Sequence, residues 1–371
     1  NFACHSMDTE VLTERGWLHF GDLREEDRLG TMHPMTSALE FQKPSQLHVF
    51  PYRGEMFTYT GRRVNFSITP NHDLLVAEYP QRADVSRFVK SHAETPPVFE
   101  KMQVQHLDEC KLYVVPTQVK WQGKEQPYFF LPDGIQVDMN TWLKFLGYVI
   151  TDGCITDSFP GTMLYQAVGD KADQMEDCLK ALQFSYTRRP HLRDHMRWKD
   201  SDVFYIHGRG LKNLLCALTG TPQGSKSWQK HLPDFIWELS STHLHYLLNA
   251  LIFGDGTETN AKYRWKTHRI FRTSSPQLAD DVQRLALTLG FSALLRVIQT
   301  YSPTAYGPRP QYHVGIAGRT PRMLKPRLLK KVPYTGEVWC ATVPNGSFIT
   351  RFNGSCSIFG NFYRIFLRNC L

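Results

Sequence analysis

Two aspartates in this sequence stand in the same nine-residue setting. Residues 145–153 run Phe-Leu-Gly-Tyr-Val-Ile-Thr-Asp-Gly and residues 248–256 run Leu-Asn-Ala-Leu-Ile-Phe-Gly-Asp-Gly, which puts Asp152 and Asp255 103 residues apart. Each segment has the apolar texture of a buried helix, and each stops at Asp-Gly, where the glycine is expected to adopt the left-handed cap conformation. A carboxylate there faces the negative end of the helix dipole and is disfavoured unless a cation lies beside it. Packed side by side, with Gly147 and Ala250 permitting close approach, the two helices bring both acids together. A divalent metal is the natural neutraliser, and Mg2+ prefers such oxygen ligands. Asp152 and Asp255 are thus the expected metal ligands, and the chemistry they serve is phosphodiester hydrolysis, with water activated and the leaving oxygen stabilised. One copy alone would be explained by a buried helix with an Asp-Gly end; the repetition points to chemistry.

Two copies with a Lys-Pro block between them resemble the double-motif LAGLIDADG homing endonucleases carried by inteins. The resemblance covers roughly residues 120–330. It implies an α/β domain of pseudo-twofold αββαββ repeats, acting as a monomer with Mg2+ on double-stranded DNA at a long site. Lys230-His-Leu-Pro looks like the family's basic block before the second helix, whose lysine assists the active site. An echo exists in the other half, since Lys230 lies 78 residues after Asp152 and Lys330 lies 75 after Asp255, each three residues before a proline. Lys330 is therefore either the second assisting lysine or part of the linker. The stretch from Thr273 through Gly290 looks like the helix that follows the second motif. Basic and aromatic segments at 186–190, 197–199 and 263–269 suit a sheet lying in a DNA groove, where Arg and Lys meet phosphates and base edges.

The flanks have a different texture. Short strands at 10–12, 17–20, 56–59, 64–68 and 74–77 alternate with Gly, Asn and Pro, an all-β pattern. From residue 140 helical spacing takes over at 142–150, 175–182, 211–218, 243–252 and 278–289. Strands return at 337–343, 347–351 and 355–359, with turns at Pro344-Asn345-Gly346 and Asn353-Gly354. One β unit is thus expected to be split by an α/β unit inserted in a loop, which is tolerable because loop-closure entropy grows slowly with length.

The split unit resembles the Hint (horseshoe) self-splicing domain of inteins over about residues 4–80 and 335–361. Cys4, followed by His-Ser-Met-Asp-Thr-Glu, looks like the N-terminal splicing block, whose first-residue thiol attacks the preceding carbonyl, here that of Ala3. Thr69-Pro-Asn-His72 looks like the Thr-x-x-His block. An amide must be distorted and its nitrogen protonated before it becomes a thioester, which is what a histidine and a hydroxyl beside it supply. Cys340, in Val-Trp-Cys-Ala-Thr-Val-Pro, occupies a block position that in inteins often holds Asp or Cys, where it assists or carries the branching steps. Asn361 is the residue whose side-chain amide would attack its own carbonyl and cut the chain. Gly360 stands where many inteins have His, and Phe362 stands where an acyl acceptor should be, so ligation through position 362 is chemically excluded. A rival junction is Asn369-Cys370.

These readings place the Hint domain at residues 4–118 and 333–361, the endonuclease at 119–332, and host remnants, flanks that act in cis, at 1–3 and 362–371. The rivals are a LAGLIDADG protein that binds DNA or RNA without cutting, as in maturase-like relatives, and a hedgehog-like autoprocessing domain. The charge of +8 suits a polyanionic partner, and the eight scattered cysteines, with no CxxC pair, argue against zinc or disulfide scaffolds. No apolar stretch approaches the ~18 residues of a membrane span, and no signal peptide is legible, so an intracellular protein is expected. The resemblance to inteins implies splicing without a cofactor.

Overall fold

A computed structural model of the chain describes residues 3–61, 63–79, 97–191, 200–220, 226–259, 268–299, 309–318 and 322–360. Its longest ladder joins the two ends of the sequence. Gln46–Thr60 pairs antiparallel with Lys330–Thr342, from Thr58 opposite Lys330 to Gln46 opposite Thr342. His5–Ser6 and Asn65–Ile68 close these two into a small barrel. Beside it, Ser347–Phe352 pairs with Ser355–Gly360 across a turn in which Asn353 and Gly354 both have positive φ, 47° and 70°. That is the geometry the Asn-Gly pair favours in a two-residue hairpin. The same strand reaches Glu10–Thr13 and Leu29–Met32. Strands from both flanks therefore alternate in the same sheets.

Between the flanks, the described residues form five α-helices, α1 (Met139–Asp152), α2 (Asp170–Ala181), α3 (Arg209–Thr219), α4 (Ser241–Asp255) and α5 (Pro276–Thr288). Side chains start three of them: Asp138 accepts from the Thr141 amide, Ser240 from that of His243, and Ser275 from that of Leu278, with Pro276 in the first turn. Each half of this unit runs helix, two strands, helix, two strands, and α3 is an addition to the first. The first-half sheet follows the order Gly153–Cys154, Gly161–Ala167, Ser201–His207, Tyr186–His191. In the second it is Gly256–Thr259, His268–Thr273, Gln311–Ala317, Ser292–Ile298, the same arrangement. Among the described residues no helix is long and apolar enough to cross a membrane.

The α1–α4 seam is as close as the small residues predict. A Cβ on Gly147 would lie 2.5 Å from the Ala250 Cβ, nearer than two carbons can approach, so a side chain there would force the helices apart. The glycines that end them depart from expectation. Gly153 (φ −82°, ψ 144°) and Gly256 (φ −105°, ψ 165°) are extended rather than left-handed, and lead straight into the next strand. Glycine is needed there for space: a Cβ would lie 2.2 Å from the Val149 carbonyl oxygen at position 153 and 2.5 Å from that of Ile252 at position 256.

The seam between the units also differs from the expected boundary. Arg322–Leu324 pairs with Leu112–Val115, and Lys330–Val332 sit opposite Thr58–Met56, so residues 322–332 pack with the β unit. Leu324 is fully buried in that unit's core, and this burial draws the segment across. Beside the expected boundary at residues 118–119 the chain is pinned as well, with Trp121 Nε1 donating to the Leu239 carbonyl at 2.8 Å. Across the seam, Arg351 forms ion pairs with Glu10 and with Asp280 of α5, and Leu294 bridges to Ser355 to make one continuous sheet.

Candidate functional site

The chain holds two separate constellations. The first lies where α1 and α4 end. Burial raises the Asp152 carboxyl, and burial followed by the neighbouring charge of Asp152 raises Asp255 to about 6. Lys230 and Lys171 act against both shifts. Lys230 Nζ donates to the carbonyls of Ile150 (2.6 Å) and Gly153 (3.3 Å). Lys171 Nζ, at the start of α2, donates to the carbonyl of Phe253 and lies 4.7 Å over its ring. Ile150 and Phe253 each precede their aspartate by two residues, so the two lysines are pseudo-symmetric: each holds the end of one acidic helix. They also supply the positive charge that a helix C-terminus bearing a carboxylate requires.

Lys330 does not fill this role. It begins the long strand paired with Thr58 in the barrel sheet, and the cations that act on the two acids are Lys171 and Lys230. Spacing missed Lys171 because the symmetry is one of position, not of topology. One lysine comes from the segment between the halves, the other from a helix inside the first half. The Lys230 block is held by α5: Ser275 Oγ donates to the Lys230 carbonyl at 2.6 Å, and the Leu232 amide donates to Asp281 at 2.9 Å.

The two carboxylates fit a hard cation, since burial and mutual repulsion leave them short of positive charge. Among the described residues no third His, Cys, Asp or Glu joins them in a metal-sized cluster. Two carboxylates are nevertheless an ordinary protein contribution to Mg2+, which keeps several waters. On the sheets, Arg188 of the basic segment 186–190 is not free for DNA: it pairs with Asp173, Glu176 and Asp202, because alternation turns it toward α2. Arg189 faces the other way, over the Tyr205 ring. Residues 197–199 and 263–267 lie outside the described residues.

The second constellation surrounds the Ala3–Cys4 peptide, deep in the barrel. The Cys4 amide donates to Thr69 Oγ1 at 2.9 Å, and the Thr69 amide donates to the Cys4 carbonyl at 3.0 Å. The His72 amide donates to the Thr69 carbonyl, and His72 Nδ1 lies 3.1 Å from the Asp73 carbonyl, which sets the tautomer with its proton on Nδ1. Cys340 packs against Cys4 as its cross-strand neighbour, one position beyond the His5–Trp339 pair. The Cys4 thiol donates to Cys340, which holds the Cys4 proton on firmly and lowers the pKa of Cys340. His5, which belongs to none of the motifs, is fully buried, its ring edge-on to His72 at 4.4 Å between centroids. Asn361, Phe362, Asn369 and Cys370 lie outside the described residues, the last of which, Gly360, ends a strand beside Asp73.

Burial pushes His72 down to about 4, and pushes His5 well below its ordinary value with help from the His72 charge. Both fold as neutral rings, whereas the unfolded chain takes up a proton on each near pH 6.5. The unfolded state then binds more protons between those limits, so this stability is full above about pH 6.5 and is lost as pH falls toward 4. His72 alone accounts for about 3 kcal/mol. Urea unfolding of wild type and His72→Gln at pH 7 and pH 4.5 should show a smaller acid loss in the variant; equal losses would contradict the assignment.

No protein-family model matches the chain. Three curated proteins are similar in sequence. The ATP-dependent Clp protease proteolytic subunit of Chlamydomonas moewusii is 27% identical over 312 residues, covering 79% of this chain and 28% of that protein. A DNA-directed RNA polymerase subunit beta C-terminal section from Stigeoclonium helveticum is 22% identical, covering 96% and 36%. The ribonucleoside-diphosphate reductase subunit beta of Aquifex aeolicus is 21% identical, covering 99% and 51%. The chain thus spans between 28% and 51% of the length of these relatives. Similar solved structures include the AceL NrdHF class 3 split intein, with a TM-score of 0.32 at 7% identity, covering 98% of this chain and all of that one. The homing endonuclease I-DmoI with DNA and Mn has a TM-score of 0.30 at 12% identity, covering 48% of this chain and 90% of that one. The N-terminal LAGLIDADG domain of WhiA has a TM-score of 0.32 at 8% identity, covering 48% and 75%.

Proposed function

We propose that the protein is an intein-type self-processing element that carries a LAGLIDADG homing endonuclease, cutting double-stranded DNA with Mg2+. One observation carries this reading: a β unit interrupted in sequence grips the Cys4 amide, while the segment interrupting it holds an acid–lysine quartet on a pseudo-twofold axis. The curated relatives bear unrelated names and match over only part of their length, as a transposable insert would and a dedicated protease, polymerase or reductase domain would not.

In the self-processing step the Cys4 sulfur attacks the Ala3 carbonyl carbon, the carbon–nitrogen bond breaks, and a thioester and a free amine remain. Cys340 already accepts the Cys4 S–H and is the acceptor at hand for its proton, a transfer that runs uphill between the two thiols and is completed only as the Cys4 sulfur attacks. Thr69 fixes the amide by accepting its N–H. His72 hands a proton to the leaving nitrogen; a ring whose pKa is about 4 is a strong acid whenever it is charged. Asn361 would cut the other end by cyclising, and Phe362 offers no acceptor, so processing stops at cleavage. At the nuclease centre, a divalent ion held by Asp152 and Asp255 would supply charge stabilisation to the phosphodiester. Lys171 and Lys230 hold the two helix ends and offset the charge of the acids, each beside one strand of the duplex.

Lys171→Met and Lys230→Met should each lower the single-turnover cutting rate by about 100-fold and leave affinity within about threefold, because their charge counts most when the phosphate gains charge. A Lys171→Met enzyme cutting at the wild-type rate would remove that residue from the centre.

A further inference from the structure

The β unit lends a cation to the second-half sheet. Arg63, in the turn between Gln46–Thr60 and Asn65–Ile68, donates from Nη1 to the carbonyl of Gly315 at 3.2 Å, in the middle of the strand Gln311–Ala317. Val314 and Ile316 of that strand are buried in the helix-side core, so Gly315 belongs to the opposite face. On this face Arg296 stands across from His313, and His268 across from Ala317, its ring against Gly315. Arg322 completes the group from the β-unit strand paired with Leu112–Val115; its Nε is buried without a hydrogen-bond partner, and its Nη2 makes only a long contact, 3.4 Å, to the Gly318 carbonyl.

These groups repel one another. Burial and the charge of Arg296 push Arg63 down, burial and Arg63 push Arg322 down to about 9, and burial with all three guanidinia pushes His268 down. Among the described residues no carboxylate forms an ion pair with Arg63, Arg296 or Arg322. Guanidinium groups do not shed their protons at neutral pH, so gathering three of them without an acid costs stability that only an anion returns. Planar guanidinium donors match phosphate oxygens.

We propose that Arg63, Arg296 and Arg322 bind backbone phosphates of the DNA, so that the self-processing β unit forms part of the nuclease's duplex-binding surface. The inference rests on the nuclease reading and adds a contact outside the α/β unit. It also gives a reason for the shared sheet and the ion pairs at the seam: a split footprint works only if both units are held in one frame.

The test measures affinity of the whole protein for a labelled random-sequence duplex without divalent metal, between about 50 and 200 mM NaCl. Arg63→Gln and Arg296→Gln are the informative variants, since Arg322 is too buried to replace safely, and matching unfolding midpoints would keep the comparison one of charge. Each lost phosphate contact should make the slope of log K against log salt less negative by about 0.9, and should cost about eightfold in affinity at 0.1 M salt. The double variant should lose about twice that slope. A wild-type slope in the double variant, with steep salt dependence in the wild type itself, overturns this inference and leaves the nuclease reading standing. Absence of duplex binding by the wild type overturns both.

Discussion

Asp152→Asn and Asp255→Asn should each reduce double-strand cutting at least about 1000-fold, which corresponds to more than about 4 kcal/mol of lost transition-state stabilisation. The substitution keeps the side chain's size and removes one negative charge. What disappears is half of a buried carboxylate pair whose members are both held up in pKa, Asp255 to about 6. That strain is the sign of a site awaiting a cation. Affinity for the duplex should stay equal or rise slightly, since a negative charge facing phosphates has been removed. Gel shift without metal, paired with cutting assays in Mg2+, separates the two effects. Normal cutting by either variant would refute the assignment of both acids to the cutting centre, and loss of binding would mean that the substitution had disturbed the α1–α4 seam instead.

The second large effect concerns the Ala3–Cys4 bond. Protein extended at its N-terminus and incubated with hydroxylamine or a thiol should be cleaved there, and Cys4→Ala should abolish that cleavage because an alanine offers no nucleophile. His72→Ala should slow it about 100- to 1000-fold, the usual range for losing a general acid. The geometry makes the claim specific, since the Cys4 amide is held 2.9 Å from Thr69 Oγ1 and the Thr69 carbonyl is tied to the His72 amide. Intact-mass measurement over time reads the outcome. Cleavage that persists in Cys4→Ala would place the chemistry elsewhere, with Asn369-Cys370 the first alternative to examine.

Much of this architecture was legible from residue order. The two acids, their helices and the small residues at the seam follow from repetition and apolar spacing, and Asn353-Gly354 announced its hairpin, because each is encoded within a few neighbouring residues. The Cys4, Thr69 and His72 segments were legible as motifs by resemblance, and the tertiary structure brings them into hydrogen-bonding distance. Other features depend on residues far apart in sequence, and these only the tertiary structure decided. Gly153 and Gly256 are glycines for closeness to a carbonyl rather than for a left-handed turn, a distinction set by where the next strand must go. Residues 322–332 cross to the β unit because Leu324 finds its core there. Lys171 rather than Lys330 holds the end of the second acidic helix, since its bond to the Phe253 carbonyl spans 82 residues and depends on where the start of α2 lies. His5, a lone histidine on a two-residue strand, carries no pattern at all; its burial against His72 comes from barrel closure. Local order specified which elements form and which residues carry reactive groups, whereas packing chose which charges meet.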